Sequence, residues 1–151
     1  MNNEKQIEEI IKTEGVFVST TSGTSMYPML RDRKDTIIIE PYEGRLEKFD
    51  VPLYKYGSKY ILHRIIKVRK DDYVIRGDNC DNKEYGITDK DILGVLTGFY
   101  RGEKKVDMNG FGYRLYVNLY CRLYLLQWIF RRVRQVLGKV RRLFRKEERN
   151  D

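Results

Sequence analysis

Residues 59–68 read KYILHRIIKV. The stretch is short and rich in Ile, with Tyr and Val at its ends, and it carries no helical period, so it predicts a β-strand. Segments of the same character precede and follow it: VFVST (16–20), DTIIIEP (35–41), DVPLYKY (50–56), DYVIRG (72–77) and ILGVLTGFY (92–100). Gly, Asp, Asn and Pro punctuate them, and no helical pattern lies between. The expectation is a mainly β, antiparallel body of barrel-like or sandwich-like form, not a βαβ fold. Residues 3–14 suit a short helix, with Ile7, Ile10 and Ile11 on one face and Gly15 as its stop. After MNGFG (108–112) the periodicity becomes helical over 113–146, as one long helix or two abutting ones. Three parts follow: an N-terminal helix over 1–15, a β domain over 16–107 and a basic amphipathic segment over 113–151.

The 151 residues fit one ordinary domain with at most a short appendage. A 41% hydrophobic fraction supplies a modest core, and 34% charged residues indicate a soluble body. The net charge of +8 is unevenly placed. RRVRQVLGKVRRLFRK (131–146) has eight Lys or Arg and no acid, which points to a polyanionic partner for that end. Cys80 and Cys121 make no disulfide framework, so a reducing compartment is expected. MNNEKQIEEIIKTEG has neither the basic start nor the apolar stretch of a secretion signal, and no segment reaches the roughly 20 apolar residues of a spanning helix. One histidine and two distant cysteines form no metal-ligand cluster, and no cofactor motif is present.

Two segments carry chemistry. In TTSGTSMYPML (20–30), Gly23 permits a tight bend and Pro28 biases Tyr27 to extended geometry, so Ser25 is held on a turn entering a strand. A nucleophilic serine needs such a perch, with backbone N–H groups beside it to receive an oxyanion. Taken alone, Ser25 is an ordinary turn serine. His63 is the only histidine, and the only side chain whose unperturbed pKa, about 6.5, suits it to accept a proton at neutral pH. Strand alternation would set it on the face of Ile61 and Ile65, with Leu62 and Arg64 opposite; taken alone, it is a satisfied structural histidine. RGDNCDNKEYG (76–86) adds Asp78, Asp81 and Glu84, carboxylates able to orient an imidazole, on what is equally a common Gly-Asp-Asn turn.

In order, TSGTSMYPML, DTIIIEP, KFDVPLYKY, YILHRIIKV, VIRGDN and ILGVLTGFY resemble the signal peptidase superfamily of serine proteases over about residues 16–100. Ser-Met-x-Pro at 25–28 is the most specific mark, supported by His-Arg-Ile at 63–65 and Gly-Asp-Asn at 77–79. The resemblance implies a signal-peptidase-like β domain. Leader peptidases and self-cleaving SOS repressors pair the serine with lysine, whereas histidine here resembles the Ser-His branch of endoplasmic-reticulum and archaeal enzymes. A histidine needs little pKa tuning to serve as base, and a lysine needs several units. By this resemblance Ser25 attacks the scissile carbonyl, His63 takes its proton, and Asp78 orients the imidazole, with Asp81 or Glu84 as alternative acids. Backbone N–H groups from Gly23 through Thr24 to Ser25 would hold the oxyanion, while Met26 and Pro28 shape the site. A second aspartate expected about six residues after Asp78 is Glu84 here.

The family's N-terminal spanning helix has no counterpart in the polar first fifteen residues. The chain has no alanine and no room for a helix-turn-helix before residue 16, which disfavours an autocleaving repressor. LYCRLYLLQWIF (119–130) is too short to span a bilayer. With the basic run after it and Tyr113, Tyr116, Tyr120, Tyr124 and Trp128 around it, residues 113–146 fit a helix lying on anionic lipid at the cytoplasmic face. The other reading packs 113–130 on the β body. Nucleic acid is the weaker partner, since no recognised binding motif accompanies the charge. The expected activity is serine endopeptidase action on an extended leader or signal-like peptide, added as a strand beside the β body. The alternatives are an inactive relative that binds peptides or membranes, and a nucleic-acid-associated regulator.

Overall fold

The computed structural model describes residues 3–123, together with 129, 132–134 and 137. The chain divides into two compact units, Met1–Arg114 and Leu115–Asp151. The first is mainly β. It opens with α1 (Asn3–Glu14), whose Ile11 is buried and whose Ile7 and Ile10 are half-buried. Gly15 closes the helix at φ 72°, a left-handed conformation that glycine adopts without strain, and its N–H donates to the Ile11 carbonyl at 3.1 Å.

Among the described residues nine strands follow: β1 (Phe17–Thr20), β2 (Asp35–Glu40), β3 (Pro52–Tyr56), β4 (Lys59–Leu62), β5 (Arg64–Val68), β6 (Tyr73–Arg76), β7 (Glu84–Ile87), β8 (Ile92–Arg101) and β9 (Lys104–Val106). All pairings are antiparallel. The larger sheet runs β1-β2-β8-β3-β4 with β9 also on β8, and the smaller runs β5-β6-β7. Alternation explains β2 directly: Asp35, Ile37 and Ile39 point inward, and Thr36 and Ile38 are half-buried. At Gly94 of β8 a Cβ would lie 2.7 Å from the Glu40 carbonyl, so only glycine lets β2 approach this closely. Leu46, Tyr54, Ile65, Tyr73, Ile75, Ile87 and Ile92 form a core drawing on both sheets.

KYILHRIIKV is not one strand. It divides at His63 into β4, which pairs with β3 in the larger sheet, and β5, which pairs with β6 in the smaller. The simple alternation expected for His63 therefore fails, because the chain changes sheets at that residue. Arg64, the first residue of β5, is buried, at 1% exposed. β7 and β9 had no clear signal in sequence. EYGI is interrupted by glycine, and the three residues KKV are mostly charged or exposed. The helix expected over 113–146 begins as α2 (Phe111–Tyr116) and continues as a π-helical turn, Val117–Cys121. Most of the remaining expected helix, including the basic run 138–146, lies outside the described residues.

Arg64 fastens several of these segments. Its Nε and Nη2 donate to the two carboxylate oxygens of Asp78, each at 2.8 Å, and Asp78 is 2% exposed. Nη1 donates to the Phe49 carbonyl at 2.9 Å and to the Tyr113 hydroxyl at 3.1 Å, and Nη2 lies against Met29 Sδ. Removing one partner of such a buried pair strands the other's charge without water. Asp78→Ala should therefore lower unfolding stability by about 3–5 kcal/mol in denaturant titration; a loss under 1 kcal/mol would contradict this role.

Candidate functional site

The Ser25 turn is built by backbone and side-chain bonds, not by strand pairing. Thr21, buried at its entrance, donates its hydroxyl to the Arg31 carbonyl at 2.6 Å and to the Asp35 carbonyl at 3.1 Å. The Arg33 N–H returns to the Thr21 carbonyl at 2.9 Å, which closes residues 21–33 into a loop. Asp35 is fully buried and accepts from the Arg31 backbone N–H and guanidinium. Within the loop, Tyr27 N–H donates to Thr24 and Leu30 N–H to Met26, and the Tyr27–Pro28 peptide is cis. Residues 25–29 thus form tight turns, and the next strand begins only at Asp35. Met26, Met29 and Leu30 are buried, Pro28 is half-buried, and Ser25 is partly exposed.

The Gly-Asp-Asn segment after β6 straps this turn from the other side. Asn79 N–H donates to the Ser25 carbonyl at 2.7 Å, and its Nδ2 donates to the Thr24 carbonyl at 3.1 Å. Gly77 allows the approach: a Cβ there would lie 2.8 Å from the Ser25 carbonyl oxygen, 2.8 Å from Cys80 Sγ and 3.0 Å from His63 Nε2. The Ser25 carbonyl and the Nε2 edge of His63 therefore both border Gly77, where any side chain larger than hydrogen collides. The two residues, 38 apart in the chain, are neighbours.

The other edge of the imidazole meets an acid. Nδ1 lies 3.2 Å from Glu84 Oε2 at the start of β7. The Tyr54 hydroxyl donates to the same Oε2 and sits 3.4 Å from Nδ1. A carboxylate at Nδ1 accepts only from an N–H, so the proton of the neutral ring belongs on Nδ1 and the basic lone pair on Nε2. Tyr54 is fully buried, and burial followed by its bond to Glu84 holds its phenol far above the ordinary range. Tyr73, bonded to Asp89, is pushed up to about 12, mainly by burial.

The three carboxylates named from sequence have different placements. Asp78, which the resemblance put first as the histidine's acid, gives both oxygens to the buried guanidinium of Arg64 in the adjoining strand. Asp81 is exposed on the turn after Cys80. Glu84 is the acid at His63. Among the expected oxyanion donors, the Gly23 N–H is committed to Asp32 Oδ1 at 2.7 Å. Among the described residues, the Thr24 and Ser25 N–H groups and the Ser25 hydroxyl bond to no protein acceptor. Tyr54, Gly77 and Asn79 were not singled out individually by their chemistry. Tyr54 is one of twelve tyrosines in an ordinary strand, and only Gly-Asp-Asn marked the other two.

Compared with known proteins, the chain matches no family model and no curated sequence.

Both tyrosines favour the folded state through their protonated forms. A phenol held above its ordinary value contributes stability that is full below about pH 10 and is lost as pH rises toward the folded-state value. Absorbance at 295 nm should show Tyr54 and Tyr73 remaining protonated above pH 10, with stability declining as the pH rises further. Ionisation of Tyr54 and Tyr73 at the ordinary phenol pH, without loss of fold, would contradict the site geometry.

Proposed function

We propose that the protein is a serine endopeptidase of signal-peptidase type, with Ser25 as nucleophile, His63 as base and Glu84 as the orienting acid. The observation that carries the reading is the two-sided environment of the one histidine: Glu84 at Nδ1, and the Ser25 turn across Gly77 at Nε2. Ser25 Oγ attacks the scissile carbonyl carbon while Nε2 accepts the hydroxyl proton. The resulting imidazolium is stabilised by Glu84. The carbonyl oxygen, now negative, is received by the Thr24 and Ser25 N–H groups. Collapse of the intermediate breaks the C–N bond, and His63 returns the proton to the departing amine. Water, deprotonated by the same Nε2, then attacks the acyl-serine ester and releases the acid product and Ser25.

The substrate class is an extended leader or signal-like peptide with small residues near the cleaved bond, as the resemblance implies. The site of action is the cytoplasmic membrane surface. Leu115, Leu119 and Leu123 are 43%, 47% and 46% exposed at four-residue spacing, and Arg122 beside them is exposed too. Apolar side chains and cations presented together suit the headgroup region of anionic lipid. No helix among the described residues is long and apolar enough to cross a membrane.

Purified protein incubated with a proteome-derived peptide library tests the activity by mass spectrometry of the products. Wild type should cut at discrete sites, and Ser25→Ala and His63→Ala should not. Glu84→Gln should lower kcat/KM by about 100- to 10,000-fold, while Asp81→Asn leaves it near wild type. Equal cleavage by wild type and Ser25→Ala would refute the assignment.

A further inference from the structure

Glu84 has one more methylene than aspartate, and its side chain is 22% exposed. Left to itself, such a carboxylate has rotamers that face water, and each costs His63 its partner. Tyr54 stands against that freedom. It lies mid-strand in β3, paired with Ile61 of β4 on one side and Ile92 of β8 on the other, and its ring is fully buried. A side chain fixed on a central strand positions a partner more sharply than one on a loop. Its hydroxyl reaches from the larger sheet to the first residue of β7 in the smaller, and donates to the oxygen that faces Nδ1.

We infer that Tyr54 is a positioning residue: its hydroxyl pins Glu84 Oε2 against His63 Nδ1, and so keeps the basic lone pair of the imidazole on the Ser25 side. The inference deepens the proposed protease reading and rests on it for its catalytic consequence, though not for the imidazole tautomer. The geometry leaves Tyr54 one donor and two acceptors in reach, Glu84 and Nδ1. Were the hydroxyl to donate to Nδ1 instead, the ring proton would move to Nε2, and no base would face Ser25. Glu84 decides between these states by accepting from both, which is why the three groups act as a unit.

The chain has a single histidine, so ¹⁵N-histidine labelling reports His63 without assignment. In long-range ¹H–¹⁵N spectra above the imidazole pKa, wild type should show the Nδ1–H tautomer. Tyr54→Phe should convert it to a mixture with Nε2–H, lower kcat by roughly 10- to 100-fold, and leave KM unchanged. Tyr54→Leu, which also lacks the hydroxyl, should show the same tautomer change and serves if the first variant does not fold. An unchanged tautomer in a folded variant would overturn the inference. So would an Nε2–H imidazole in wild type, which is readable without any variant. If the tautomer shifts as expected but wild type cleaves no peptide, the positioning role stands and the protease reading fails. If wild type cleaves and the variants match it in tautomer and kcat, the protease reading stands and the positioning role fails.

Discussion

The guanidinium of Arg64 has no access to water, and the site around it takes its shape from how that charge is satisfied. Asp78 supplies a bidentate carboxylate, Phe49 a carbonyl and Tyr113 a hydroxyl. Desolvating such a pair costs free energy that only good geometry offsets. Here the geometry links β5, the turn after β6, the loop before β3 and, through Met29, the segment that carries Ser25. With Asp78 anchored, the residues on either side of it are placed. Gly77 fits between Ser25 and His63, and Asn79 holds the carbonyls of Thr24 and Ser25.

The same pair explains why Glu84, and not Asp78, lies against His63 Nδ1. Both oxygens of Asp78 are held by that guanidinium. His63 is adjacent in sequence to Arg64, but it sits where the chain leaves one sheet for the other, so the two side chains take different partners. β7 returns along β6 and brings Glu84 to the ring. Asp78 holds the scaffold, and Glu84 faces the imidazole.

Much of the β body was legible because its strands are short, β-branched and separated by turn residues. β2 shows this best, with Ile37 and Ile39 buried. The α1 bounds followed from three isoleucines and a glycine stop. The crossover at His63 was hidden, since nothing in KYILHRIIKV marks a change of hydrogen-bonding partner. β7 was hidden by its glycine and charge. In the site, Ser25, His63 and Glu84 were all nameable from chemistry, yet the choice among three acids required knowing where Arg64 points. An arginine inside a strand ordinarily reads as exposed, and its burial reversed that choice. Tyr54 gave no signal at all, because its importance lies in a partner 30 residues away.

The central claim is that Ser25 and His63 together cleave peptide bonds, and the new N-termini it leaves in cells are its most direct record. Source cells expressing wild type, Ser25→Ala or His63→Ala at equal levels should differ by a defined set of protein N-termini, present with wild type and absent with both variants. Those termini would also reveal the residues read on either side of the cut. Identical sets of termini in all three, with the protein folded and expressed, would contradict the account.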